Sequence, residues 1–209
     1  TDGAMLEPFC VGVEALTIAD IKEGQDVCVF GAGPIGISVM LCAKAMGAGK
    51  VFCAEPLSWR REAAQEKFGA DEVLDNSDDS VKVEEWINDL TEGRGVDIVY
   101  EASGDGRMFT IGPEIAVRGG TVVIIGIPEV DEFTFNPHTC RRKGLTILND
   151  RRSNLRVETG IELVEKNNIN LSDMVTHRFP LEQTADALEI IDGYNDNVIK
   201  SVVELDPDN

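Results

Sequence analysis

Two kinds of hydrophobic pattern alternate along the chain, and their alternation predicts the fold. Short continuous apolar runs bounded by glycine or acidic residues are typical of strands buried in a parallel sheet. Between these runs, apolar residues recur every three or four positions, as on one face of a helix. We predict six strands, at 27–30, 50–55, 72–74, 97–100, 121–125 and 145–148. Strands alternating with helices predict an α/β fold, a doubly wound parallel sheet with right-handed crossovers and the strand order 3-2-1-4-5-6.

The helical patterns lie between the strands and before the first one. Helices are predicted at 11–18, at 58–69 and at 83–90, in addition to one that follows the first strand and ends at Gly47. Ser58 is the predicted N-cap of the helix at 58–69, because serine is a preferred capping residue.

The most informative motif follows the first strand and reads Gly31-Ala32-Gly33-Pro34-Ile35-Gly36. Gly31 allows a tight turn, Gly33 lets the backbone approach a ligand oxygen, and Gly36 lets the following helix pack on the strand. Pro34 suits the first helical turn, where an N–H has no intrahelical partner. The N–H groups of this helix start, including the turn around Ile35, predict a pyrophosphate site. The alternative is a turn that serves strand–helix packing only.

An acidic residue, Glu55, ends the second predicted strand. Its spacing from the glycine motif is that of the acid that binds the ribose hydroxyls of a dinucleotide. Because its negative charge would repel a 2′-phosphate, we predict NAD rather than NADP as the cofactor. Arg60, which is a further predicted cofactor contact, and Arg61 follow this acid. An arginine beyond the second strand can serve a 2′-phosphate, so both cofactors stay open at this point.

The carboxyl ends of the other strands meet at the same edge of the sheet, where ligands of doubly wound sheets bind. The predicted cofactor contacts there are Ala102, Ser103, Gly104, Gly126, Ile127, Pro128, Asn149 and Arg152. Gly104 and Gly126 could equally be ordinary turn glycines. Arg151 and Arg152 could be solvated surface charge, but in an acidic chain they could also offset the charge of an anionic ligand.

Composition narrows the class of protein. With 43% hydrophobic and 27% charged residues among 209, the chain is typical of a globular protein. It has 19 basic and 38 acidic side chains, hence a net charge of −19, which disfavours binding to nucleic acid or to an anionic membrane. No apolar run approaches the ~20 residues of a membrane span, and we expect a cytoplasmic protein. The five cysteines lack Cys-x-x-Cys spacing and are predicted to be reduced core residues.

Several motifs together resemble one family. They lie at 6–13, 29–36, 43–48, 69–71 and 175–181, so that the likeness extends over essentially the whole chain. These segments resemble the medium-chain, zinc-dependent dehydrogenases, above all the polyol branch with sorbitol and xylitol dehydrogenases, with threonine and butanediol dehydrogenases near by. The resemblance implies a Rossmann fold and hydride transfer between a secondary alcohol and NAD, with zinc as a Lewis acid on the alcohol oxygen.

The resemblance also implies how the chain is divided. We expect a lead-in segment from a catalytic domain at 1–25, the NAD-binding Rossmann domain at 26–172 and a C-terminal return segment at 173–209. The return segment is predicted to contain a strand at 174–179, a helix at 181–191 and a strand at 198–204. The family's cysteine and histidine zinc motifs have no match here. We therefore expect part of a longer enzyme, with no catalytic residue in this chain.

One metal ligand is implied by the same resemblance. In the polyol branch the acid of the Glu7-Pro8 motif lies at the catalytic zinc, and a carboxylate suits that role. The alternative is that Glu7 caps the helix predicted at 11–18. His138 and His177 are far apart in sequence and are not predicted to form a ligand pair.

The resemblance further implies a homodimer or homotetramer, paired through the sheet edge between 133 and 148. The expected partner is otherwise a small-molecule alcohol. An alternative function is that of a stand-alone dinucleotide-binding sensor or structural module without catalysis. The Glu7-Pro8 motif and the run at 176–181 favour the dehydrogenase, because a sensor has no need of either.

Overall fold

A computed structural model describes residues 2–78, 82–128 and 130–205 of the chain. Six parallel strands form one sheet in the order β3-β2-β1-β4-β5-β6, which confirms the predicted strand order and the doubly wound fold. The strands are β1 (Val27–Phe30), β2 (Val51–Ala54), β3 (Glu72–Leu74), β4 (Val96–Glu101), β5 (Ala116–Ile124) and β6 (Thr146–Asn149). A second, two-stranded parallel sheet consists of β7 (Val175–Pro180) and β8 (Lys200–Glu204).

The helices connect these strands and pack on the large sheet. They are α1 (Asp2–Ile18), α2 (Pro34–Ala45), α3 (Ser58–Glu66), α4 (Val83–Leu90), α5 (Gly106–Ile115), α6 (Pro137–Lys143), α7 (Val157–Asn167) and α8 (Thr184–Asp192). Short 3-10 helices precede β7 and α8, at Leu171–Met174 and Leu181–Gln183. The prediction that Ser58 caps α3 was wrong: Leu57 occupies the cap position and makes no side-chain capping bond.

Helix α1 begins at Asp2, well before the predicted start at Val11. Met5 and Phe9 are fully buried four residues apart, and Val13 and Leu16 continue the same apolar face into the main core. This face packs against α2 so closely that a Cβ at Gly12 would lie 2.7 Å from a backbone carbon of Ser38. The predicted lead-in segment therefore shares its hydrophobic core with the large sheet. The domain boundaries themselves stay a prediction.

The core lies on both faces of the large sheet. Every residue of β1 and β2 is buried, because α-helices cover both sides of the central strands. The edge strands β3 and β6 are more exposed. The five thiols are unpaired, and Cys28 and Cys53 lie within the buried strands. No helix in the described part of the chain is long and apolar enough to cross a membrane.

The C-terminal segment contributes a smaller body beside the sheet. Its strands β7 and β8 pack with α8, in the predicted order of strand, helix and strand. Leu171, Met174 and Ile199 anchor it in the main core. This anchoring brings the start of β8 to the carboxyl edge of the large sheet, where it reaches the site described next.

Candidate cofactor-binding cleft

Two cavities lie along the carboxyl edge of the large sheet. The first, here called the Glu55 cavity, has a volume of about 440 Å³ and is lined by Gly31, Gly33, Pro34, Ala54, Glu55, Pro56, Leu57, Arg60, Asn76, Ala102, Ser103, Asp105, Ile191, Tyr194, Ile199 and Lys200. The second, the Asp150 cavity, has about 520 Å³ and is lined by Val11, Ile35, Ala102, Ser103, Ile125, Gly126, Ile127, Asp150, Arg151 and Arg152. Ala102 and Ser103 line both cavities, which therefore form one cleft.

The glycine turn between β1 and α2 lies on the wall of this cleft. Gly31 has a φ of +92°, and a Cβ there would be 3.1 Å from the Cα of Ser103. A Cβ at Gly36 would lie only 1.8 Å from the carbonyl oxygen of Gly31, so α2 packs directly on the turn. Gly33 precedes α2 without a side-chain capping bond, and Pro34 is its first residue. The first-turn N–H groups are thus left without a side-chain cap, as an anion site at a helix start requires.

Glu55 is 3% exposed, and its carboxylate is held in place by two backbone donors. Oε2 accepts a hydrogen bond from the N–H of Ala32 at 2.6 Å, and Oε1 accepts one from the N–H of Leu57 at 3.0 Å. Each carboxylate oxygen has a further lone pair for another donor. The acid at the end of β2 therefore stabilises the glycine turn and also lines the cavity beside it.

Arg60 is buried and lines the Glu55 cavity beside the glycine turn, where its Nη1 would lie 3.6 Å from a Cβ on Gly33. Its guanidinium lies 5.0 Å from the ring centroid of Tyr194, a cation–π contact, and Nη2 donates to the carbonyl of Val198 at 3.4 Å. Its Nε is buried and has no hydrogen-bond partner among the described residues. An unpartnered cationic donor in a cavity suits an anionic or polar ligand.

Arg61, by contrast, has a guanidinium group that is already bonded to other residues. Nη1 donates to the carbonyls of Glu55 and Pro56, at 2.8 and 2.7 Å, and Nη2 pairs with Asp75 at 2.7 Å. These contacts fix Arg61 behind the end of β2, so that only Arg60 of the two arginines lines the cavity.

The loops after β4 and β5 fit together around a buried carboxylate, that of Glu101. Oε1 of Glu101 accepts hydrogen bonds from the N–H of Ser103 at 2.9 Å, from its hydroxyl at 2.5 Å and from the N–H of Gly104 at 2.9 Å. Burial raises the pKa of Glu101, and these hydrogen bonds oppose the rise. A Cβ at Gly126 would lie 2.5 Å from Oε2, so glycine is required where the two loops meet.

Asp150 follows β6 in the wall of the second cavity. Burial, followed by the negative charge of Glu14, raises the pKa of Asp150 to about 7, and the nearby backbone N–H of Arg151 offsets this only in part. Glu14 itself is buried. Burial tends to raise the pKa of Glu14, but hydrogen bonds from Asn154 and Arg156 outweigh it and lower that pKa.

The structure brings most of the predicted site residues to the cleft. Those in the Glu55 cavity are Gly31, Gly33, Pro34, Glu55 and Arg60, those in the Asp150 cavity are Ile35, Gly126, Ile127 and Arg152, and Ala102 and Ser103 lie in both. Gly36 and Gly104 line neither cavity but allow close packing of the backbone next to the cleft. A Cβ at Gly104, for example, would lie 2.5 Å from the carbonyl oxygen of Ile127. Pro128 and Asn149 line neither cavity.

Sequence reasoning missed several cavity residues, chiefly those of the C-terminal segment. Tyr194, Ile199 and Lys200 lie far along the chain from the glycine turn, and no local motif marked them. The one available signal was Lys200 itself, a cation in the predicted last strand of an acidic chain. Asn76 and Asp105, after β3 and β4, were also missed.

Glu7 lies within α1 and is exposed, so the alternative that it caps a helix starting at Val11 was wrong. Among residues 2–78, 82–128 and 130–205, no group of three or more histidine, cysteine or acidic side chains could hold a metal ion. The described residues therefore do not by themselves form a zinc site, and a role for Glu7 at a metal needs donors from elsewhere.

Comparison with known proteins assigns the family. Residues 34–166, more than half of the chain, match the model of the zinc-binding dehydrogenase family. Sorbitol dehydrogenase of Bacillus subtilis is 30% identical over 97% of this chain and 56% of its own length, and D-xylulose reductase of Saccharomyces cerevisiae is 32% identical over 97% and 57%. A Sinorhizobium meliloti structure described as a zinc-binding dehydrogenase bound to NADP superposes with a TM-score of 0.86 at 26% identity, over 96% of this chain and 58% of that one.

These relatives confirm the resemblance drawn from the sequence motifs. The chain spans just over half the length of each of these three relatives. The matched part includes the glycine turn from Pro34 onwards, the later strands that line the cleft and most of α7. By its sequence and its fold, the chain belongs to the zinc-binding dehydrogenase family.

Proposed function

We propose that this chain is the cofactor-binding part of a zinc-dependent oxidoreductase that transfers a hydride between a secondary alcohol, such as a polyol, and NAD. The observation that carries the proposal is the continuous cleft at the carboxyl edge of the sheet. The glycine turn, Glu55 and Lys200 all line the same cavity of this cleft. The named relatives include a sorbitol dehydrogenase and a D-xylulose reductase, which supports a polyol substrate. Nothing in the described residues favours the alternative of a non-catalytic sensor.

The residues present fit a dinucleotide in a definite direction. The pyrophosphate would bind at the start of α2, where the uncapped N–H groups and the helix dipole favour an anion. Lys200 lines the same cavity and would add a positive charge. The adenosine would occupy the Glu55 cavity, with its ribose hydroxyls donating to Glu55, and the nicotinamide would extend past Ala102 and Ser103 into the Asp150 cavity.

We propose NAD rather than NADP as the preferred cofactor. Glu55 is buried and held by two backbone N–H groups, so it cannot easily swing away from a 2′-phosphate. Arg61 is engaged by two carbonyls and by Asp75, which leaves Arg60 as the arginine of this pair in the cavity. The NADP-bound relative shows that NADP occurs in the family, so the preference rests on these contacts.

The bound cofactor would supply hydride acceptance and donation, and this chain's residues would bind and orient it. Zinc chemistry would require ligands supplied by the complete protein, because the described residues hold no donor cluster. Glu7 is proposed as one carboxylate at that zinc. We therefore expect no alcohol oxidation by this chain alone.

Two further proposals concern the protein's assembly and its location. We propose a homodimer or homotetramer paired through strand β6, which forms an edge of the sheet. We also propose a cytoplasmic location. The acidic net charge argues against nucleic-acid and membrane partners, because it would repel nucleic acid and anionic lipid surfaces.

Calorimetric titration of the chain with NAD⁺ and NADP⁺ tests this function. We expect saturable binding of NAD⁺ and binding of NADP⁺ that is about tenfold weaker or more, because a 2′-phosphate would be brought against Glu55. The control is Glu62→Gln, which removes an exposed charge from α3 without touching the cavity and should bind both cofactors as the parent chain does. Failure to bind either cofactor would refute the function, and equal binding of both would refute only the preference.

A further inference from the structure

The Asp150 cavity contains a carboxyl group for which cofactor binding as described so far provides no role. Both Oδ1 and Oδ2 of Asp150 are buried, and neither accepts a hydrogen bond of normal geometry from a residue that the structure describes. Buried carboxylates are nearly always hydrogen-bonded or paired with a cation, since an isolated charge in a protein interior is costly. The ionised form of Asp150 therefore lacks a full partner in the structure, and a positive group bound near it would supply one.

The charged groups around Asp150 do not provide that partner. From α1, Glu14 brings a second buried negative charge, and this charge is already bonded to Arg156 and Asn154. From the loop after β6, Arg151 and Arg152 line the same cavity, but neither side chain is bonded to Asp150, and both are exposed, so that solvent screens their charges. The balance of nearby charge leaves Asp150 in need of a cation on the cavity side.

A nicotinamide ring is the group that the proposed function brings into this cavity. With adenosine beside Glu55 and the pyrophosphate at the glycine turn, the other end of the dinucleotide passes Ala102 and Ser103 and enters the space lined by Ile35 and Asp150. The oxidised ring carries one positive charge, and the reduced ring carries none. This step rests on the proposed function.

We propose that Asp150 is a specificity-determining residue that distinguishes the two redox states of the cofactor, favouring the oxidised, positively charged nicotinamide over the reduced, neutral one. No bond to carbon forms or breaks at Asp150. Its ionised carboxylate stabilises the ring cation through space, and when the ring is neutral this stabilisation is absent.

The direction of the pH dependence follows from the pKa of the Asp150 carboxyl group. Its pKa of about 7 means that the group is partly protonated near neutrality. A nearby ring cation lowers this pKa, so binding of NAD⁺ releases a proton and becomes tighter as the pH rises from about 6 to about 8. NADH has no ring charge, and its binding lacks this contribution.

Titration of NAD⁺ and NADH into the chain at pH 6 and pH 8 tests the proposal. The ratio of the dissociation constant for NADH to that for NAD⁺ should rise about fivefold between the two pH values. It should be independent of pH in Asp150→Asn, which keeps the shape of the side chain and removes its charge. Asp186→Asn, an exposed position on α8, should behave like the parent chain.

The outcomes separate this inference from the proposed function. If neither cofactor binds, the proposed function fails together with the inference. If both bind but their ratio does not change with pH, or changes equally in Asp150→Asn, only the inference is overturned. Should Asp150→Asn not fold, proton release by the parent chain can be counted at pH 7 in two buffers of different ionisation enthalpy. More protons released on binding NAD⁺ than NADH supports the proposal, and equal release overturns it.

Discussion

At the scale of single residues, the cleft depends on glycines that let three loops touch. Gly31 approaches Ser103, Gly104 approaches the carbonyl of Ile127, and Gly126 approaches Glu101. A side chain at Gly104 or Gly126 would collide with backbone or with a buried carboxylate, and one at Gly31 would be crowded in a backbone conformation, φ +92°, that favours glycine. The loops after β1, β4 and β5 are therefore one packed unit, and its fixed shape holds the ligand-facing backbone in position.

Substitution of Gly36 tests this packing most severely. In Gly36→Ala the new Cβ would lie 1.8 Å from the carbonyl oxygen of Gly31, so α2 must move away from the turn. We expect the free energy of unfolding to fall by about 3 kcal/mol, as for other overpacked sites. Urea denaturation measures this loss. Gly106→Ala is the control, because a Cβ at Gly106 would point into open space; equal stability of the two variants would contradict the packing.

Glu55 is the residue on which the cofactor preference depends. In Glu55→Gln the negative charge is lost while most of the side chain's volume is kept. We expect the ratio of the dissociation constant for NADP⁺ to that for NAD⁺ to fall about tenfold, because the repulsion of a 2′-phosphate disappears. Parallel calorimetric titrations of the two cofactors measure the ratio. An unchanged ratio would show that Glu55 does not face the ribose.

At the scale of elements, α1 is joined to the start of α7 by a partly buried ion pair. Glu14 on α1 is 4% exposed and is bonded to Arg156, just before α7, and to Nδ2 of Asn154 at 2.9 Å. Because the pKa of Glu14 is lowered in the folded chain, its stabilising effect is present at neutral pH. That effect is lost as the pH falls through the lowered pKa.

Removing Arg156 should destabilise the folded chain, because the buried charge of Glu14 then lacks its cation. In Arg156→Met, Glu14 loses its cation, and we expect about 3 kcal/mol less stability at pH 7. Without Arg156 the pKa of Glu14 rises, so the loss should shrink as the pH is lowered towards about 4. Chemical denaturation across this pH range measures the effect. The double variant Glu14→Gln with Arg156→Met should recover part of the loss, and a pH-independent loss would contradict the ion-pair explanation.

How far the sequence predicted these elements differs along the chain. The strands β1 and β3 were located to the residue, because each is an apolar or β-prone run with clear turn residues around it. β5 begins at Ala116 rather than Thr121, since its first residues include Gly119 and Gly120 and are held by pairing with β4 across an irregular register. Pairing of that kind depends on tertiary contact, which local patterns do not report.

In the site, too, the residues set by local sequence were predicted and those set by tertiary contact were not. The glycine turn and Glu55 are local to one strand–helix–strand unit, and their spacing alone predicted their position. Lys200 and Tyr194 reach the cavity only because the C-terminal segment is anchored in the main core through residues such as Ile199. The raised pKa of Asp150 depends in part on the charge of Glu14. Because the two residues are distant in sequence, no motif includes both of them.

At the scale of the whole molecule, we propose that a second copy pairs with one edge of the sheet. β6 is the last strand of the sheet order, and Ile147 and Leu148 on it are half-buried. An unpaired edge strand is a template for pairing with another chain. With a net charge of −19, two copies would repel each other unless a locally apolar edge such as this one brought them together.

Light scattering at high protein concentration and moderate salt tests the assembly. We expect a homodimer or a larger homo-oligomer for the parent chain, and a shift to monomer for Ile147→Lys, because a lysine would place charge in the apolar edge. Leu188→Lys is the control, since Leu188 on α8 is already 65% exposed. A parent chain that is monomeric under these conditions would refute the proposed assembly.

The central claim is that the cleft at the carboxyl edge of the sheet binds a nicotinamide dinucleotide from end to end. A crystal structure of the chain grown with NAD⁺ measures this most directly. We predict adenosine ribose at Glu55, the pyrophosphate at the N-terminus of α2 near Gly33 and Lys200, and the nicotinamide ring in the Asp150 cavity. A cofactor bound elsewhere, or a cleft that stays empty at saturating NAD⁺, would contradict the account.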